Sequence, residues 1–388
     1  MINGGPIKKV LYISEVPVEL SRAGATLVYR LLEQYPPDKL LIIQTSNSIN
    51  DHRLENVRYI RSESKLIYLL KRLKLTQLGN LVNILLKRRI SARFEKSIRD
   101  FRPDAVITVT FNLSWLTAYR ISRQYKIPLL LLLHDDYLGT ENYGWLQSYI
   151  TAKFRKAYLH AQSCFCISPQ MEEYYHNIYG KKGQVIYPSR GKNDSTFFID
   201  WEKVQEKANL NFCYAGSIGT TDFLPLMNEL AGILGRHGHT LTLFADVSTI
   251  SMQKYQHLFM PHVRFENMAH PDILKKYIYE HVDVNILLNS FQHEDLFKLN
   301  FSSKIVDYTA VNLPVLFWGA PTSGILSWAL KRNYPCMIIR NDNQLLEEEI
   351  TRLEKLSYRK QLAAELQEMA KDTFGFEMNY SVFTEHLN

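Results

Sequence analysis

The sequence predicts an α/β protein built from two Rossmann-like, doubly wound domains. Three observations lead there. Short apolar runs alternate with segments of helical periodicity along nearly the whole chain, the pattern of parallel sheets covered by crossover helices. The run Pro128–Leu133 is continuously apolar, as a central strand buried on both faces requires. The chain has 388 residues, too many for one ordinary domain, and its alternation stops and restarts once.

In chain order, Val10–Ser14 reads as the first strand, Ala23–Gln34 as a helix and Lys39–Thr45 as the second strand. Ser91–Asp100 is a helix that must end before Pro103,. Ala105–Val109 is a strand, Ser114–Gln124 a helix and Pro128–Leu133 a strand closing on His134-Asp135-Asp136. After the strand Ser163–Ile167, Ser168-Pro169 starts a helix that runs to Tyr179, with serine as cap and proline in the first turn,. Gln184–Tyr187 is the next strand. The polar segment from Pro188 to Ser195 has no apolar period and reads as a linker,.

Beyond it, strands are predicted at Asn211–Ala215, Thr240–Ala245, Val263–Phe265, Val284–Leu288, Pro314–Phe317 and Cys336–Ile339. Helices are predicted at Leu224–Leu234, Pro271–Tyr279, Ser303–Val311 and Gly324–Leu330. A long charged amphipathic helix, Glu347–Lys371, is followed by Phe374-Gly375-Phe376 and a short helix, Glu377–Leu387. This kinked pair is expected to pack back on the first domain. The predicted domains are 1–188, 189–370 and the terminal helix 371–388. Sheets of this kind bind ligands beyond the carboxyl ends of their strands, where Gly24, His134, Gly216 and the loop Ser290–Ser303 fall.

Composition is that of a globular chain, with 46% hydrophobic and 22% charged residues,. The residues before Ser14 do not read as a signal peptide, and no window has the length and apolarity of a membrane span. Cys164, Cys166, Cys213 and Cys336 show no metal-ligand spacing and no disulfide framework, so they read as reduced core residues of a cytoplasmic protein. Twenty-three tyrosines suit either a ligand-lined cleft or a compositional bias. The net charge of +7 is concentrated: Lys65–Arg102 holds eleven Lys and Arg against Glu95 and Asp100, with leucines at helical spacing. Such a helix suits an anionic membrane surface or acidic acceptor, or packs on its own domain with a solvated basic face. No nucleic-acid module accompanies it.

The most informative stretch is Asn300-Phe301-Ser302-Ser303-Lys304-Ile305-Val306-Asp307-Tyr308, followed by Asn312-Leu313-Pro314-Val315-Leu316. Lys304 adds a cation to a helix start that already favours anions, a conflict that a diphosphate would remove. Asp307 lies one turn on, where it can accept hydrogen bonds from a ribose. A local Lys304–Asp307 ion pair is the alternative.

These residues, with His134-Asp135 and Cys166-Ile167-Ser168, resemble the retaining GT-B glycosyltransferases of the GT4 type over nearly the whole chain. The resemblance implies two Rossmann-like domains facing across a cleft, with a nucleotide-sugar of UDP or GDP type held by the second domain. It implies an acceptor held by the first domain and chemistry without metal or other cofactor. Residue by residue, it assigns the diphosphate to Lys304, Ser302 and Ser303, the ribose to Asp307, and the donor loop to Gly216, Ser217 and Gly219. Gly24 matches the glycine-loop position near phosphate or acceptor, and His134 the histidine facing the transferred sugar, with Asp135 positioning it or touching the acceptor. A satisfied structural histidine is the alternative for His134, and a solvated helix start for the two aspartates.

The chain departs from the family pattern at three points. No basic residue stands between Ser217 and Leu226, where the pattern has Arg and Lys; Leu299 stands eight positions before Asp307; and Ala25 follows Gly24. Lys298, Lys304, Arg22 or Arg190 must then supply the positive charge, or the protein binds its donor weakly or no longer catalyses. P-loop, Gly-x-Gly-x-x-Gly, His-Glu-x-x-His, nucleophile-elbow and Asp-x-Asp patterns are absent,, and the histidine pairs 237/239 and 257/262 have no third ligand nearby in sequence. The expected function is a hexosyltransferase acting on a glycan, lipid-linked or small-molecule acceptor in polysaccharide biosynthesis, cytoplasmic or peripheral on the inner membrane face. A nucleotide-sugar epimerase and a non-catalytic nucleotide- or sugar-binding partner are the other readings.

Overall fold

The computed structural model describes residues 7–20, 23–45, 53–61, 76–87, 92–140, 142–216, 222–245, 262–267 and 269–387. The chain forms two units, Met1–Tyr187 with Phe376–Asn388, and Pro188–Gly375. Each contains one all-parallel sheet.

The first unit contains β1 (Val10–Ser14), α1 (Ala23–Leu32), β2 (Leu40–Gln44), β3 (Arg58–Arg61), α2 (Thr76–Lys87), α3 (Ala92–Phe101) and β4 (Ala105–Val109). It continues with α4 (Ser114–Tyr125), β5 (Leu129–Leu133), α5 (Tyr137–Thr140), α6 (Gln147–His160), β6 (Ser163–Cys166), α7 (Pro169–Tyr179) and β7 (Gln184–Val185). Strand order is β3-β2-β1-β4-β5-β6-β7, with Val10 beside both Leu40 and Ala105. The order therefore reverses between β1 and β4, which is where such sheets open a crevice. Every residue of β1, β2, β4 and β5 is buried, matching their continuous apolarity. Ser168 caps α7 by accepting from the Met171 backbone N–H at 3.1 Å.

One sheet face packs Val10, Tyr12, Ile42, Ile107 and Leu130 against Val28 and Leu31 of α1. Phe383 and Leu387 of the terminal helix, numbered last below, complete that cluster. Away from it, Trp115, Tyr137, Phe154, Tyr158, Tyr175 and Tyr179 form an aromatic cluster, with Trp115 edge-on to Phe154 at 5.2 Å and Tyr158 stacked on Tyr175 at 5.6 Å. Part of the tyrosine richness is thus core packing.

The second unit contains β8 (Asn211–Ala215), α8 (Phe223–Arg236), β9 (Thr240–Ala245), β10 (Val263–Asn267), α9 (Pro271–His281), β11 (Val284–Leu288) and α10 (Glu294–Lys298). It ends with α11 (Lys304–Thr309), β12 (Val315–Trp318), α12 (Gly324–Leu330), β13 (Met337–Ile338), α13 (Asn343–Leu353) and α14 (Leu356–Phe374). Strand order is β10-β9-β8-β11-β12-β13, reversing between β8 and β11. After Gly375 the chain returns to the first unit as α15 (Phe376–Leu387). There the Tyr187 N–H donates to Asn379 Oδ1 at 2.9 Å and Lys8 Nζ to the Leu387 carbonyl at 2.8 Å.

Some expectations need correction. The single helix Glu347–Lys371 is two helices, because buried Arg359 donates to the Leu353 and Glu354 carbonyls at 2.6 and 2.8 Å and so caps the end of α13,. Helix α6 was not anticipated. Its buried Ile150, Phe154, Ala157 and Tyr158 keep helical spacing, but it starts without a side-chain cap. The edge strand β3 also escaped notice, since Arg58 and Arg61 flank its buried Ile60. The basic stretch 65–102 yields separate helices α2 and α3, with 65–75 and 88–91 outside the described residues. All four cysteines are free and buried, and burial pushes the Cys164 thiol up to about 12, which makes it a poor nucleophile.

Phe383→Ala should destabilise the first unit by about 3–5 kcal/mol, the usual range for emptying a buried aromatic site. Urea unfolding measures this, and an unchanged midpoint would show that α15 is not part of that core.

Candidate functional site

In the second unit the loops after β8 and β11 flank the point where strand order reverses. Gly216 follows β8 with φ +144°, a region that side chains rarely enter. A Cβ placed there would fall 2.1 Å from Lys304 Cε and 2.4 Å from Nζ. The tip of the lysine therefore occupies the space a Cβ would take, and a side chain at this position would have to displace it.

The neighbouring residues hold this arrangement. Tyr308, fully buried, accepts the Ala215 N–H at 2.9 Å and fixes α11 against the end of β8. Phe301 packs among the rings of Trp328 and Phe374, at 6.2 and 5.9 Å. Lys304 Nζ donates to Tyr214 Oη at 2.6 Å and stands 4.1 Å from that ring's centre. Burial of the ammonium lowers its pKa from 10.5 to about 7, although the side chain as a whole keeps partial solvent access. The folded pKa lies below the unfolded value, so this group opposes folding fully below pH 7 and progressively less as pH rises toward 10.5. An anion brought to this ammonium would relieve the desolvation penalty.

The structure alters the sequence reading at several points. Helix α11 has six residues rather than the expected span to Val311, and Ser303 at its N-cap position makes no side-chain cap bond. The local Lys304–Asp307 ion pair does not form, because the lysine's partner is Tyr214. Ser302, Ser303 and Asp307 are all partly exposed. Lys298, at the end of α10, is exposed and is not brought to Lys304 by any described contact. Arg190 is engaged elsewhere, donating to the Thr309 carbonyl at 2.7 Å at the far end of α11. Arg22, Ser217 and Gly219 lie outside the described residues.

Asp222 was missed from sequence. It is 4% exposed and accepts from Ser290 Oγ at 2.7 Å and the Phe291 N–H at 3.1 Å. Ser290 Oγ accepts in turn from the Gln292 and His293 N–H groups. This carboxylate joins the start of α8 to the loop after β11, across the switch point. Its sequence signal was a lone aspartate ahead of a helix, too common to single out.

In the first unit His134 follows β5. Its Nδ1 lies 2.8 Å from Asp135 Oδ2, and Nε2 is buried with no partner among the described residues. The Asp135 carboxylate accepts from Nδ1 and orients the ring,. Gly24 sits in the first turn of α1 rather than in a loop, and a Cβ on it would come 3.1 Å from His134 Nε2. A side chain there would press on the imidazole edge. Asp136 turns the other way, accepting from Tyr175 Oη at 3.4 Å and lying against Gly139.

Among the described residues one cluster has the composition of a metal site: His237, His239 and Glu354, with Glu354 supplied from far away in sequence. The cluster does not fit a metal. His239 Nδ1 accepts the Leu210 N–H at 3.3 Å, so Nε2 bears the proton, whereas a metal-bound imidazole needs the reverse. His237 Nδ1 contacts Glu354 Oε1 at 2.8 Å instead, tying α8 to α13. The other pair, 257 and 262, includes a residue outside the described ones.

Helix α2 exposes Leu78, Leu85 and Leu86 while burying Ile84. Gly144 meets Gln77 of α2, and the next residue, Trp145, is 67% exposed. Arg93, Lys96 and Arg99 on α3 are exposed. Among the described residues no helix is long and apolar enough to cross a membrane.

The fold is that of GT-B glycosyltransferases. HepE from Anabaena, solved in complex with UDP and glucose, superimposes with a TM-score of 0.67 at 14% identity, covering 98% of this chain and 99% of that one. A glycosyltransferase from Rickettsia africae gives 0.66 at 12% identity over 98% of both chains. The UDP-forming trehalose-phosphate synthase of Burkholderia xenovorans gives 0.62 at 12% identity, also over 98% of both. Residues 53–189 match the family model Glycosyltransferase Family 4. No curated protein matches the sequence. The fold is therefore GT-B, and residues 53–189 of the first unit are similar to family 4 glycosyltransferases.

Gly216→Ala should displace Lys304 and cost about 1–3 kcal/mol in backbone and steric strain. Urea unfolding measures it, and a neutral effect would mean that the lysine does not rest on that backbone.

Proposed function

We propose that this protein is a retaining hexosyltransferase that moves a sugar from a nucleoside-diphosphate donor to a glycan, lipid-linked or small-molecule acceptor, without a metal. The observation that carries this reading is the buried Lys304 ammonium seated on Gly216 at the switch point of the second unit. Breaking a sugar–diphosphate bond builds negative charge on the leaving oxygen. A cation partly shielded from water stabilises that charge, and removal of one comparable donor in oxyanion sites costs about 2.7–4 kcal/mol. HepE, which shares the fold, is described with UDP and glucose, which supports a nucleotide-sugar donor. Ser302, Ser303 and Gly216 complete the diphosphate surface in this reading, and Asp307 binds the ribose.

In the first unit His134 Nε2 is a pre-oriented acceptor for a sugar hydroxyl. With retention, the departing diphosphate takes the acceptor's proton on the same face, so no protein nucleophile is required. The exposed leucines of α2 and the cations of α3 support acceptor delivery from an anionic membrane surface,, and hence a peripheral cytoplasmic location.

A second reading is a non-catalytic nucleotide- or sugar-binding partner. It is favoured by Asp222, a carboxylate held in the segment where the family pattern has its Arg and Lys. Titration with UDP, GDP and ADP, paired with donor-hydrolysis and transfer assays, separates the two. Binding without turnover across a broad acceptor panel selects the second.

Lys304→Ala should weaken nucleoside-diphosphate binding at least tenfold, about 1.4 kcal/mol, while nucleoside binding changes little. Isothermal titration checks this, and equal losses would indicate general damage. Replacing Lys87, Arg88 and Arg89 with Ser should reduce co-sedimentation with anionic vesicles severalfold. Unchanged sedimentation would remove the membrane surface from the account.

A further inference from the structure

The donor reading leaves one residue of the cluster without a role. Tyr214 is fully buried on β8, two positions before Gly216, and no sequence pattern singled it out. Its hydroxyl oxygen lies 2.6 Å from Lys304 Nζ. Among the described residues it is the lysine's hydrogen-bonding partner, since no carboxylate pairs with that ammonium. The ring underlies the same cation at 4.1 Å, within the range of cation–π attraction. Position along the strand matters too. Cys213, Tyr214 and Ala215 are all buried, and the Ala215 N–H is taken by Tyr308 Oη. Strand and lysine helix are thus locked together at adjacent residues, which fixes the height of the tyrosine oxygen relative to Nζ.

Resting on the donor reading above, we infer that Tyr214 is a positioning residue for diphosphate recognition: its hydroxyl accepts from Lys304 and holds the ammonium over Gly216, ready for the donor's phosphates. The reasoning is electrostatic. A buried lysine without an acceptor sheds its proton or swings to water. A neutral phenol is an acceptor that adds no competing negative charge; burial raises the Tyr214 pKa well above its usual value, so it stays protonated. A carboxylate in the same place would hold the lysine more strongly but would neutralise it and repel the diphosphate. The hydroxyl keeps the cation charged and leaves its other N–H bonds for the ligand.

Tyr214→Phe keeps the ring and removes the acceptor. The probes are UDP, GDP and ADP, titrated calorimetrically from pH 5.5 to 8.5 into wild type, Tyr214→Phe and Lys304→Met. Lys304→Met supplies the ligand's own titration for subtraction. In wild type, the lysine-dependent part of the affinity should fall as pH rises through about 7, because the free protein loses its cation there. In Tyr214→Phe that fall should begin at lower pH. The loss should be about tenfold at pH 7.5 and shrink toward nothing at pH 5.5, where the lysine is charged in both proteins. A uniform loss across the range, or profiles that superimpose, overturns the role of Tyr214 alone. No binding of any of the three nucleotides by wild type overturns the donor reading itself. Should Tyr214→Phe fold poorly, the titration of the Lys304 side chain, followed in wild type by NMR of protein labelled with [13Cε]lysine and assigned by Lys304→Met, decides the matter. The inference requires its midpoint to rise on adding the diphosphate that binds and to stay put with the matching nucleoside; a midpoint indifferent to the diphosphate overturns it.

Discussion

The site depends on a single close approach, a lysine ammonium lying on a glycine backbone at the end of a buried parallel strand. Burial disfavours that charge and lowers its pKa to about 7,, while Tyr214 Oη accepts one of its hydrogen bonds. The rest of the second unit keeps the lysine from escaping. Tyr308 locks its helix to β8, and Phe301 wedges the preceding loop among Trp328 and Phe374. Asp222 closes the adjoining loop onto α8. A cation held in this way attracts a multiply charged anion more strongly than one already solvated, because binding returns the free energy that desolvation removed.

The first unit uses the same economy in another form. His134 is oriented by Asp135, and Gly24 has no side chain to press on its Nε2 edge. In both units a glycine stands where a Cβ would touch the candidate side chain, and both candidates lie at strand ends: Gly216 follows β8 and His134 follows β5. That recurrence follows from parallel sheets: the strand ends there carry loops unconstrained by neighbours on both sides.

Much of this was legible in the sequence. The continuous apolar strands declared themselves, with Val10–Ser14, Ala105–Val109 and Val284–Leu288 appearing with the bounds their composition suggested. Lys304 and Gly216 were identified separately, and the structure brings them together. Three kinds of feature stayed hidden. Helix α6 lacks a side-chain cap, so its apolar spacing had no start signal. The break in the terminal helix depends on Arg359 reaching back to carbonyls five and six residues away, a tertiary choice that local propensity does not encode. Tyr214 and Asp222 act through partners 90 and 68 residues distant, and single-sequence periodicity says nothing about such pairs. The anion-favouring helix start at Lys304, by contrast, was expected and is not what organises the site. A six-residue helix offers little dipole, and the lysine supplies the charge.

The most direct measurement is a crystal structure of the protein soaked with a nucleoside diphosphate. The account predicts diphosphate oxygens within hydrogen-bond reach, about 2.7–3.2 Å, of Lys304 Nζ and beside the Gly216 backbone. A diphosphate bound elsewhere, with the Lys304 ammonium still resting on Tyr214 Oη and no phosphate near it, would contradict the account.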